Sequence, residues 1–148
     1  MGIVEDVQGA ADWVAAALSG SGYRADFTPG SLREIERFFE EQVPGGRVHP
    51  RGLLSEQVGS RLFALGAYVG EVVRRNVGGA WSGDDADPEA EVNVALDLTD
   101  GSRIWPVQRV LKRFTNGTGD SLTAYGAALG LDAGSPRTSW RRRWRPWR

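Results

Sequence analysis

The sequence predicts an α+β fold, with about five helices packed on a small two- or three-stranded antiparallel sheet. Three observations predict it. Apolar residues recur every three or four positions in several separate stretches, the spacing of a helix with one buried face. One stretch, EVNVALDL, alternates apolar and polar residues instead, as a half-buried strand does. Asp100-Gly101 follows almost at once, a turn signal that lets the next residues fold back as a hairpin.

Val4, Val7, Ala11, Val14 and Leu18 mark a first helix, which Ser19-Gly20-Ser21-Gly22 ends. Ser31 and Glu34 have the spacing of a capping box, in which each side chain meets a free backbone N–H at a helix start. Leu32, Ile35, Phe38 or Phe39, and Val43 form the stripe of this second helix, and Pro44-Gly45-Gly46 stops it. VHPRG reads as a loop. The longest helical pattern runs from Leu53 to Val77, with Val58, Leu62, Leu65, Val69, Val72 and Val73 on one face. Gly66 and Gly70 stand four apart within it, hence on one side. Glycine costs roughly 1 kcal/mol against alanine in a helix interior, so two of them predict close approach by another element. Gly78-Gly79 ends this helix.

In EVNVALDL, Val92, Val94, Leu96 and Leu98 point one way, and Asn93, Ala95 and Asp97 the other. SRIW pairs back after the turn, and AWS at 80–82 supplies a third strand, since three strands are far more stable than two. Pro106 opens a fourth helix at its first position. Its stripe is Val107, Val110, Leu111 and Phe114, with Lys112 and Arg113 suited to its C-terminal end and Asn116-Gly117 as its stop. Asp120 or Ser121 caps a fifth helix through Leu122, Tyr125 and Leu129 to Gly130.

A chain of 148 residues suits one domain with a real core. With 41% hydrophobic and 25% charged residues it has the composition of a folding chain. Residues 1–132 are expected to form that single α+β domain, and 133–148 a linker and a flexible Trp/Arg-rich basic tail. The net charge of −1 hides this division. The last twelve residues hold six arginines and no acid, which leaves −7 on the other 136. No run approaches the roughly 18 apolar residues of a membrane span. The opening MGIVEDVQGAADWV has acids where a secretory leader needs a basic region, so a cytoplasmic location is expected.

The chemistry-bearing residues are few. There is no cysteine, which excludes disulfides, thiol catalysis and thiolate metal sites. His49 is the single histidine, in a Gly/Pro loop, and a metal site of nitrogen ligands needs several. The loop GDDADPEAE alternates acids like the start of a calcium loop, but lacks its turn glycine and terminal glutamate spacing. VGGAW and NGTGDS lack the lysine and the strand–glycine–helix context of phosphate loops. No catalytic residue, metal or cofactor is therefore assigned, and the chain is expected not to be an enzyme.

The most distinctive stretch is LGAYVGEVVRRNVGGAW. Glu71 precedes Arg74 and Arg75 by three and four residues, the spacing of helical ion pairs. One reading makes this a salt-bridged core helix. The other makes Tyr68, Glu71, Arg74, Arg75 and Trp81, with Asp84, Asp85 and Asp87, a surface for a protein partner. Trp13 and Trp105 are further aromatics of the kind that anchor interfaces.

The order GAYVGE…GGAW, then an apolar strand, then DGSRIWPVQRVLKR resembles a family of small bacterial proteins catalogued as a domain of unknown function. The likeness spans about residues 30–130 and leaves the tail outside. It implies a bacterial cytosolic protein, and by analogy an immunity-like or accessory one that binds another protein. Three functions follow as expectations. The first is a non-enzymatic protein-binding module, whose acidic body suits a basic partner. The second is weak, non-specific binding of nucleic acid or anionic membrane through Arg137, Trp140, Arg141, Arg142, Arg143, Trp144, Arg145, Trp147 and Arg148. The tail could equally engage the acidic body of its own or a neighbouring chain. The third is a carboxylate-based enzyme, which a pocket joining Glu71 and Asp97 would favour.

Overall fold

The computed structural model describes residues 2–131. Six helices and three strands follow in the order α1 (Ile3–Gly20), α2 (Ser31–Gln42), α3 (Val58–Val77), β1 (Ala80–Ser82), α4 (Ala90–Asn93), β2 (Ala95–Asp97), β3 (Arg103–Ile104), α5 (Pro106–Asn116) and α6 (Leu122–Ala128). The strands form one antiparallel sheet in the order β1-β2-β3. The fold is α+β, and its five longer helices are those that the apolar spacing predicts.

α3 is the centre. Every residue from Leu62 to Val73 is buried, so this helix is enclosed on all sides and not amphipathic at the surface. α1 packs along one side and α5 along another. The two glycines explain the closeness of these contacts. A Cβ on Gly66 would lie 2.5 Å from the Val107 Cα of α5, and one on Gly70 would sit inside the Trp81 ring. α1 turns Ile3, Val7, Ala11, Val14, Ala15 and Leu18 inward. Its first turn is held by carboxylates: Glu5 accepts the Gly2 N–H at 2.9 Å and Asp85 the Ile3 N–H at 2.7 Å. These meet donors that the helix itself leaves free.

α6 starts as expected, with the Ser121 Oγ accepting the Ala124 N–H. The Glu36 carboxylate of α2 accepts the neighbouring Leu122 N–H at 2.6 Å. The same carboxylate takes the Arg113 Nε of α5 at 2.9 Å. One acid thus joins α2, α5 and α6.

Three local expectations give way to packing. Ser31 does not cap α2: Gly30 holds the cap position, and Ser31 is fully buried with its hydroxyl donating to the Thr28 carbonyl. Glu34, the other half of the expected box, accepts the Arg24 N–H instead. α3 begins at Val58, five residues later than its apolar pattern. The Leu53 N–H is bonded to the Gln42 side chain and its carbonyl to Arg61, so the backbone groups a helix would use are engaged elsewhere. Finally, EVNVALDL is a strand only over Ala95–Asp97. Asp87 accepts both the Glu89 N–H and the Asn93 side-chain amide, which clamps Ala90–Asn93 into a helical turn. Val92 is left exposed, while Val94, Ala95 and Leu96 are all buried.

Candidate functional site

Tyr68, Glu71 and Trp81 come together, but inside the molecule. Their exposures are 0%, 1% and 8%. The Tyr68 hydroxyl accepts the Phe27 N–H at 3.0 Å and donates to the Ser31 Oγ at 2.7 Å. Burial raises its ionisation above the usual phenol range. This chain of bonds holds Phe27, whose φ of +62° is a left-handed conformation uncommon for such a residue. Asn76 secures the Phe27 carbonyl from the other side at 2.9 Å.

Glu71 receives four donors. Arg74 Nε and Trp81 Nε1 reach Oε2 at 2.6 and 2.7 Å, and Arg74 Nη2 and Arg75 Nε reach Oε1 at 2.9 and 3.0 Å. Burial by itself raises this carboxyl, but the bonds from Arg74, Trp81 and Arg75 outweigh it and hold it down at about 2. Such a group is ionised at neutral pH, and both oxygens carry a full set of partners. A general base poised for work near neutrality needs a value several units higher and a free lone pair. Glu71 therefore anchors α3 to β1. The partner surface expected of Tyr68, Glu71 and Trp81 is internal, because a single dominant helix buries all its faces.

Arg74 and Arg75 stand at the edge of this node. Arg75 also meets Asp12 of α1 at 3.4 Å and stacks on the Phe27 ring at 3.7 Å. Asp97 has a separate partner: it pairs with Arg103 across the hairpin. Asp84, Asp85 and Asp87 lie in the β1–α4 loop: Asp84 and Asp87 bond local backbone, and Asp85 accepts the Ile3 N–H of α1. Among the described residues no group of three or more His, Asp or Glu is placed to hold a metal ion. None of their helices is long and apolar enough to cross a membrane. The tail candidates from Arg137 to Arg148 lie outside the described residues.

The surface feature that stands out is a groove of about 130 Å³ between α1 and α3. Buried Leu18, Phe38 and Leu65 form its base, and Trp13 and Leu53 its rim at 53% and 36% exposure. Arg61 is the one charged residue in its lining. Its Nη1 donates to the Leu53 carbonyl at 2.5 Å, while its Nε is buried without a partner. Sequence reading flagged Trp13, which falls off the apolar stripe of α1. Nothing local marks Arg61, in the first turn of α3, as a groove residue, and Leu53, read as the start of that helix, reaches the groove from the turn before it. No known family, curated protein or solved structure matches the chain.

Proposed function

We propose that the protein is a non-catalytic protein-binding module of the bacterial cytosol, of an immunity-like or accessory kind, and that it binds through the groove between α1 and α3. The observation that carries this reading is the size and chemistry of the groove. Its volume of about 130 Å³ is close to the roughly 150 Å³ that admits one benzene. It is well below the ~300–1,000 Å³ of pockets for cofactors and small substrates. A space of this size takes one apolar side chain of a partner. A solvent-exposed Trp13 beside it is the type of residue that dominates interface energies.

Charge supports the partnership in a second way. Glu5, Asp6, Asp84, Asp85, Asp87, Glu89 and Glu91 gather around the start of α1 and the β1–α4 loop. None of them forms an ion pair among the described residues. Such a pole speeds encounter with a partner of basic surface.

The test is affinity capture from producing cells with three proteins: wild type, Trp13→Glu and Leu53→Glu. A protein that copurifies with wild type in near-stoichiometric amount, and is lost from both variants while each still melts like wild type, supports the reading. The absence of any such groove-dependent protein overturns it.

A further inference from the structure

We infer that the groove selects a partner segment in which an aromatic or leucine side chain stands beside an aspartate or glutamate, and that Arg61 recognises the carboxylate. This rests on the groove being the docking surface. An ionised donor shielded from water without an acceptor is costly, and Arg61 Nε is in that state. The only acceptor Arg61 meets among the described residues is the Leu53 carbonyl, through Nη1. This leaves Nη2 open to a partner carboxylate, with Nε, which the chain covers, as its neighbour in the parallel pair that grips a carboxylate side-on. The molecule already uses that pair once, where Arg74 Nε and Nη2 hold the two oxygens of Glu71 at 2.6 and 2.9 Å.

Among the described residues no acid answers the arginine. From Trp13 to Tyr23 there is no charged residue. On α1 the acidic pole ends at Asp6, seven residues before Trp13 at the groove rim, and Asp12 beside that tryptophan is paired with Arg75. Seven helical residues span about 10 Å, more than the ~8 Å screening length at physiological salt. The pole therefore does not set the sign at the groove, and Arg61 does.

The probe is 3-phenylpropionate, a ring and a carboxylate of the inferred chemistry, compared with the neutral 3-phenylpropanamide and the cationic 3-phenylpropylamine. Binding is read from NMR shifts of Leu18, Leu53 and Leu65 in wild type, Arg61→Gln, Arg61→Lys and Trp13→Ala. The acid should bind about tenfold more tightly than the amide, and the amine most weakly. Arg61→Gln should erase the preference, and Arg61→Lys should keep only part of it, since lysine has charge without the fork. Trp13→Ala should weaken all three probes. Equal binding of acid and amide, a preference that survives Arg61→Gln, or no groove shifts at tens of millimolar acid would each overturn the inference. Groove-dependent capture without a carboxylate preference sinks the role of Arg61 and leaves the docking surface standing. A preference without groove-dependent capture sinks the protein-binding reading, and with it the partner segment.

Discussion

Trp81 donates its indole N–H to Glu71 at 2.7 Å, and its ring packs where a Cβ on Gly70 would otherwise lie. One residue of β1 thus reads two successive residues of α3, a charge and a missing side chain. The sheet is docked on the central helix by a polar bond and a close approach at the same point.

Glu71 ties stability to pH with a definite sign. Its carboxyl is held at about 2 in the fold, against 4.5 unperturbed. The contribution is therefore complete above pH 4.5 and is lost as pH falls towards 2. That difference corresponds to roughly 3 kcal/mol. Glu71→Gln should lower neutral-pH stability by about 3 kcal/mol, the low end for breaking a buried pair, because both arginines can reach water. Urea melts between pH 7 and 2.5 check it. The variant should lose less of its stability on acidification than wild type, and parallel curves would show that Glu71 is not the acid-sensitive group.

Two glycines on helices should respond oppositely to alanine. Gly9 in α1 has nothing within 4 Å of an added Cβ. Gly9→Ala should stabilise by roughly 1 kcal/mol through helix propensity, about 2–4 °C in Tm for a chain of this size. At Gly66 the same gain meets the Val107 backbone at 2.5 Å, which cannot swing aside as a flexible side chain can. Overpacking of about 1–3 kcal/mol should outweigh it, so Gly66→Ala lowers Tm. A rise in both melting temperatures would mean that α3 and α5 are not this close.

Arg113 is 4% exposed and depends on Glu36. Glu36→Ala strands that guanidinium and frees the Leu122 N–H, and should cost about 3–5 kcal/mol. Arg113→Met keeps the volume, and leaves Glu36 bonded to Leu122, so it should cost less. Chemical denaturation of both variants gives the ranking, and the reverse order would refute this account of the junction.

Among the described residues the hydrophobic core runs from Ile3 to Leu131 and draws on every long helix. A chain ending at Leu131 should melt cooperatively, at the same temperature as the full-length protein. The tail's six arginines should bind duplex DNA weakly and without sequence preference, with log affinity falling at a slope of up to about −5 in log salt. Truncation should abolish that binding and spare the groove-dependent partner. A tight, salt-insensitive complex with one sequence, or loss of the partner on truncation, would make the tail the working end.

What the sequence alone determined is local. Pro106 starts α5, Ser121 caps α6, Gly78 closes α3 at φ +94°, and Asp100-Gly101 turns the hairpin, because each rests on backbone preferences within a few residues. Even the close approach at Gly66 and Gly70 was legible, since two helix-weakening residues on one face imply a neighbour. Arg113 carried a weaker signal, three residues after Val110 on the buried side of α5. Tertiary structure decided the rest. Ser31 and Leu53 found long-range partners stronger than the cap and the helix their neighbours suggest. Asp87 curled half of a well-alternating strand into a helical turn. Tyr68 and Glu71 went inward because α3 is enclosed on every side, which no window of its own residues reveals. The groove belongs to this second group: Trp13, Phe38, Leu53, Arg61 and Leu65 become one surface only when α1, α2 and α3 pack, since side chains so distant in the chain meet through burial and not through local preference.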